Sequence, residues 1–369
     1  MQLMREGVLA KPYGIHILLG GLYVNTKRAF WLPCVIYSTL VVFDILFGIF
    51  SVAYTVVEIW SDNVALSLKQ FNYVLLRLLT LGLVMTGLFR TRNMDELFPI
   101  LVRFQYTTPL NAEQEAVIEK YDKQFWKVFN YFKYLMYIVN TVWIAILPLV
   151  EIALNEVVLH DRNTTRKFGQ YIPVLAWHPY DPDIFLSFLI QYSLQVFFTF
   201  LLCHTAVGIT ASYIDVAIFL ISSFKVLKIS LQDIEQRALY LYCASTHRSR
   251  VAVADSSRVA DDPIYQRHLL GCLREDLNHQ LLLRRIQRGM LEIYGPILLF
   301  LLLIGGVFLC TKAITLLEIN KLNDAHLFRN LFRMIQSVLS FTSYIFVFCW
   351  YGEEITQAVS MKMFKLQSN

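Results

Sequence analysis

Two ionisable residues lie inside long apolar stretches: Asp44 within Ala29–Val57 and Arg77 within Gln70–Phe89. A charge at the centre of a bilayer costs about 3 kcal/mol on insertion scales, so each is a functional candidate. Consecutive antiparallel spans would bring the two depths together, which predicts an intramembrane Asp44–Arg77 ion pair. The alternative is that each faces a water-filled cavity or another partner. Signatures of catalysis are missing, with no HExxH, CxxC, G-x-S-x-G or Walker A pattern. His268 and His279 share a helical stretch beside basic residues, without the carboxylate or thiolate cluster that a metal needs. No metal, no cofactor and no enzymatic activity are therefore expected. His204 reads as a packed polar residue.

A second constellation is aromatic. Phe185, Phe188, Tyr192 and Gln195 recur at helical spacing in one apolar stretch. Phe71 and Tyr73 begin another, Trp143 lies in a third, and Phe308 and Phe341 lie in two more. Apolar walls with a few polar groups, here Gln195, Thr311 and Ser337, are the usual form of a small-molecule site. For any single one of these residues, ordinary helix packing is the competing reading.

The elements that carry them follow from composition. Of 369 residues, 56% are apolar or aromatic and only 17% are charged, which excludes an ordinary soluble enzyme and a disordered chain. A bilayer core needs roughly 20 helical residues. Six stretches qualify: Ala29–Val57, Gln70–Phe89, Tyr134–Val150, Ile184–Ile214, Ile293–Thr311 and Met334–Gly352. The expected fold is an all-α polytopic membrane protein, with six recognisable transmembrane helices and long cytoplasmic helical extensions. Ile15–Val24 is shorter and reads as an interfacial or re-entrant helix.

Lys and Arg set the orientation. Segment 225–292 holds eleven and 90–130 holds six, whereas 58–66 holds none and 155–183 three. The N-terminus is thus expected in the cytoplasm, and the positive-inside rule absorbs the basic residues without nucleic acid. The one N-x-[ST] sequon, at Asn163, falls in a segment expected outside and is a glycosylation candidate.

This predicts a cytoplasmic segment 1–30, four spans over 31–225, a cytoplasmic linker and amphipathic helix over 226–292, two spans over 293–352, and a cytoplasmic tail 353–369. Asn111 and Gln114 have capping-box spacing. Leu270, Leu273, Leu277 and Leu281 share one face of a linker helix. That face is covered either within the chain or by another subunit.

Several short motifs resemble those of the insect odorant receptors. Pro179-Tyr180-Asp181 precedes a span with Gln191, Tyr192 and Gln195. Leu273–Gln280 leads through Glu292-Ile293-Tyr294 into a Leu/Phe-rich span, and Phe348-Cys349-Trp350-Tyr351-Gly352-Glu353-Glu354-Ile355 resembles the family's exit from its sixth span. Lys11-Pro12-Tyr13 near the start also fits.

The resemblance implies a ligand-binding subunit of an odorant-gated cation channel in the plasma membrane of olfactory sensory neurons. Such a subunit takes a volatile small-molecule odorant in its outer half. It assembles with a shared coreceptor into a tetramer surrounded by membrane lipid, and the Leu270–Leu281 face fits a subunit contact. The family continues into a seventh, pore-lining span. The 17 residues after Gly352 hold no run long enough to cross a bilayer, so a truncated or alternatively spliced form without the pore helix is expected. A gustatory receptor of the same superfamily and a membrane transporter are the competing readings.

Overall fold

The structure is a computed structural model that describes residues 11–22, 31–61, 64–101, 104–140, 184–246, 260–319 and 327–366, with isolated positions between 142 and 181. Among the described residues the regular elements are helical. They are α1 (Gly14–Leu19), α2 (Trp31–Ile59), α3 (Val64–Phe89), α4 (Thr91–Leu97), a 3-10 turn (Phe98–Ile100), α5 (Ala112–Asn140), α6 (Phe185–Gln232), α7 (Ile234–Thr246), α8 (Pro263–Ile319) and α9 (Leu327–Leu366). The described parts of the apolar stretches lie on α2, α3, the end of α5, α6, α8 and α9. Trp143 and Asn163 lie outside the described residues.

Helix boundaries follow local chemistry. Asn111 caps α5, its Oδ1 accepting the Gln114 N–H at 2.8 Å while Gln114 Oε1 accepts the Asn111 N–H at 3.0 Å. This is the reciprocal capping box, and Glu113 and Glu115 in the first turn add favourable charge at the helix N-terminus. Asp262 caps α8 by accepting the Ile264 N–H at 2.8 Å, and Pro263 occupies the first helical position, where no amide hydrogen is needed. α8 continues through Pro296 without ending.

The chain divides into two compact units. The first comprises Met1–Asp95, Phe129–Ser212 and Ile293–Phe348. Leu32–Ile59 and Leu66–Phe89 within it are long and apolar enough to cross a membrane, as is the apolar part of Pro263–Leu317. α2 turns Leu40, Phe43, Phe50 and Val57 outward, an exterior that suits lipid rather than water. Tyr13, just before α1, and Ile17 within it are fully buried, while Ile15 is exposed. A side chain at Gly208 on α6 would meet the α1 backbone at 3.0 Å, so glycine is what permits the close approach. His16 on α1, Tyr137 on α5 and His204 on α6 then meet. The Tyr137 hydroxyl lies 2.8 Å from His204 Nδ1, and the two Nδ1 atoms lie 3.0 Å apart.

The second unit comprises Glu96–Val128, Tyr213–Glu292 and Cys349–Asn369. Its centre is an ion cluster. Buried Arg237 contacts Asp276 at 3.0 Å and Glu275 at 2.8 Å, and its guanidinium lies over the Tyr106 ring. Ser230 donates to Asp276 at 2.7 Å. Burial pushes the Asp276 carboxyl above its ordinary range, against the opposing pull of Ser230 and Arg237. Tyr106 is likewise pushed up by burial, and it meets His279 Nδ1 at 2.6 Å. Leu270, Leu273, Leu277 and Leu281 are exposed by 41–66%, so nothing among the described residues covers the leucine stripe.

A candidate ligand cavity

Within the first unit, five helices line a partly open cavity of about 140 Å³. α3 contributes Leu76, Leu79 and Leu83, and α5 contributes Met136 and Asn140. α6 contributes Leu202, Cys203 and Ala206, α8 contributes Phe308, and α9 contributes Ser337, Ser340, Phe341 and Tyr344. The wall is mostly aliphatic and aromatic. Phe308 and Phe341 meet at 5.2 Å between ring centroids. The cavity size resembles an engineered apolar cavity of about 150 Å³ that holds benzene.

Asn140 and Ser337 bond within their own helices, while Cys203 reaches across from α6 to α5. Asn140 Nδ2 donates to the Met136 carbonyl at 2.7 Å, and the Cys203 thiol donates to the same oxygen at 3.5 Å. Ser337 donates to the Met334 carbonyl at 2.9 Å. The Tyr344 hydroxyl is buried without a hydrogen-bond partner among the described residues.

The aromatic residues anticipated from the sequence separate into groups. Phe308, Ser337 and Phe341 line the cavity. Phe188 and Tyr192 are buried and stacked at 5.7 Å, packed with Ile172 in a separate cluster. Gln195 binds backbone rather than cavity, taking the Val174 N–H at 3.0 Å and giving to the Val174 carbonyl at 2.7 Å. Phe71 and Tyr73 pack against Val52, Val56, Val74 and Val174. Phe185, in the first turn of α6, is 59% exposed. Thr311 donates to Asn72 at 2.6 Å and so joins α8 to α3.

Asp44 and Arg77 are neighbours, but the bond between them is not carboxylate to guanidinium. Arg77 Nη1 donates to the Asp44 backbone carbonyl at 3.4 Å, and its guanidinium lies 3.8 Å over the Phe198 ring. Asp44 Oδ2 has no hydrogen-bond partner among the described residues.

A second concavity is larger and also open. Phe47, Phe50, Tyr54 and Val57 of α2 line about 570 Å³ together with Trp177. The Trp177 N–H donates to the Ser51 carbonyl at 3.2 Å, and the Ser51 hydroxyl returns a bond to the Trp177 carbonyl.

The family model described as 7tm Odorant receptor matches residues 84–361. The chain belongs to the odorant receptor family. Its fold is similar to that of the insect olfactory receptor OR5 from Machilis hrabei, with a TM-score of 0.68 at 14% identity over 95% of this chain and 80% of that one. The structure of the same receptor in complex with eugenol gives 0.64 at 13% identity, over 94% and 79%. At such identity the likeness establishes the fold: an all-helical, multi-pass membrane protein. No curated protein sequence matches the chain.

For an odorant receptor of this fold, two kinds of cavity residue escaped the sequence reading. Leu76, Leu79, Leu83, Leu202 and Ala206 carry no signal in an apolar span, where such residues face lipid as readily as a cavity. Asn140, Ser340 and Tyr344 did carry one. Asn140 is a polar residue inside the third apolar stretch, and Ser340 and Tyr344 continue the Ser337 face at helical spacing.

Proposed function

We propose that this chain is the ligand-binding subunit of a heteromeric odorant-gated cation channel, and that the α3–α5–α6–α8–α9 cavity receives the odorant. The observation that carries this reading is a partly open, mostly apolar cavity with few polar groups, among the helices of an odorant receptor family member. Burial of a small apolar ligand there supplies affinity at roughly 25 cal/mol per Å². The eugenol complex of the Machilis receptor supports a small organic ligand in this fold.

The partner is a coreceptor in the plasma membrane of olfactory sensory neurons, with the N-terminus of this chain in the cytoplasm. The exposed Leu270, Leu273, Leu277 and Leu281 are the proposed subunit contact, since a leucine row in water is stabilised by burial against another chain. Phe188, Tyr192, Phe71 and Tyr73 act behind the cavity, holding the outer ends of α2, α3 and α6 in register.

The test is expression with and without a coreceptor, an odorant panel, and current recording. Ala206→Phe fills the cavity and should abolish or greatly weaken every odorant response at unchanged surface expression. Responses identical to those of the parent chain would reject this location.

A further inference from the structure

The cavity holds more than apolar wall, and its polar groups keep both acceptor and donor capacity unspent. The Asn140 amide has a fixed sense. Its NH2 faces the Met136 carbonyl at 2.7 Å, and the reversed amide would set oxygen against oxygen. Asn140 Oδ1 therefore keeps acceptor capacity on the cavity wall. Ser337 spends its only hydrogen on the Met334 carbonyl, so its oxygen too has only lone pairs left to offer. Cys203 spends its weaker donor on Met136 in the same way. The buried Tyr344 hydroxyl has no hydrogen-bond partner among the described residues and so keeps a donor on the cavity wall. Ser340 adds a hydroxyl that can give as well as take.

We infer that the cavity selects hydroxyl-bearing odorants, alcohols or phenols, over ketones, aldehydes and hydrocarbons of the same size. A ligand O–H donates to Asn140 Oδ1 or Ser337 Oγ and accepts from Ser340. A carbonyl compound can only accept, which leaves Asn140 Oδ1 covered by the ligand and without a donor. Leaving a buried acceptor unsatisfied is the costly side of hydrogen bonding, and a site built around such a group discriminates by about tenfold or more. The volume limits size as well. A cavity of about 140 Å³ matches a single ring or a short chain of roughly six to eight heavy atoms.

This inference rests on reading the cavity as the odorant site, and the experiment separates the two. The chain is expressed with a coreceptor, and concentration–response curves are recorded for two matched sets. One set is phenol, benzaldehyde and toluene. The other is hexan-1-ol, hexan-2-one and hexane. The expected result is a half-maximal concentration about tenfold lower for phenol and hexan-1-ol than for their set partners. Asn140→Leu should narrow that gap to less than about threefold while keeping toluene active, and Ser337→Ala should narrow it by a smaller factor. Surface biotinylation confirms that each variant reaches the membrane, and Ser337→Ala keeps the test alive should Asn140→Leu fail to fold. Equal potency of carbonyl and hydroxyl probes, silence to both hydroxyl probes, or an unchanged gap in both variants would overturn the assignment. Failure of the cavity reading itself shows differently, as odorant responses that survive Ala206→Phe unchanged.

Discussion

Arg77 reaches the backbone carbonyl of Asp44 at 3.4 Å, while its guanidinium lies 3.8 Å above the Phe198 ring. α2, α3 and α6 are thus tied at one depth by a cation that uses a peptide oxygen and an aromatic face. Both are acceptable partners where water is scarce.

This geometry sets apart three substitutions. Asp44→Asn keeps the carbonyl and should retain most surface expression. Arg77→Met loses both contacts and should lose most of it. Gly48→Val should do the same, because any side chain at Gly48 overlaps the Arg77 guanidinium. Surface biotinylation of the three variants checks the order. Rescue of Arg77→Asp by Asp44→Arg would point instead to a carboxylate–guanidinium pair.

Gln195 holds Val174 by both backbone groups at 3.0 and 2.7 Å within the first unit. Gln195→Leu leaves that buried N–H and C=O without partners, at a cost of about 2 kcal/mol. The expected readout is a lowered unfolding temperature of the detergent-purified protein. An unchanged midpoint would mean that Val174 finds other partners.

In the second unit, Asp276→Ala strips Arg237 and Ser230 of a shared acceptor and should cost about 3 kcal/mol. Asp276→Asn keeps an acceptor and should cost much less. Because burial raises the Asp276 carboxyl, its ionisation is harder in the folded state than in the unfolded chain. Its contribution to stability is therefore greatest below the ordinary carboxylate range, about pH 4, and declines as pH rises from there through the raised value. The Asn variant should lack that decline in a stability–pH profile. Parallel profiles for the two proteins would contradict the assignment.

The proposed orientation is tested by labelling. A tag before Met1 should be reachable only after permeabilisation, and Asn163 should shift in mobility on deglycosylation. Surface labelling of the N-terminal tag on intact cells would overturn the inside assignment.

Much of the fold was legible because a bilayer imposes its own length. Runs such as Ala29–Val57 and Ile293–Thr311 must be helical to satisfy their backbones in lipid. The α5 start was legible in Asn111 and Gln114, since a capping box is local chemistry. The cavity was not legible to the same degree. Whether Phe188 or Phe308 faces a cavity depends on how each helix is rotated against its neighbours, and nearly every face of these helices is apolar. Gln195 illustrates the limit: its burial could be anticipated, but its commitment to the Val174 backbone is a contact across 21 residues. Asp44 and Arg77 were paired by depth, yet depth does not say that the carbonyl rather than the carboxylate takes the bond.

The most direct test of the central claim is to ask where a ligand binds. A short alkanol bearing a diazirine is photolysed on the intact complex, and the labelled peptides are sequenced by mass spectrometry. Odorant binding in the five-helix cavity predicts labels on Met136, Phe308 or Phe341 that a non-reactive odorant competes away. Competable labels confined to Phe50, Tyr54 or Trp177, in the open groove of α2, would contradict it.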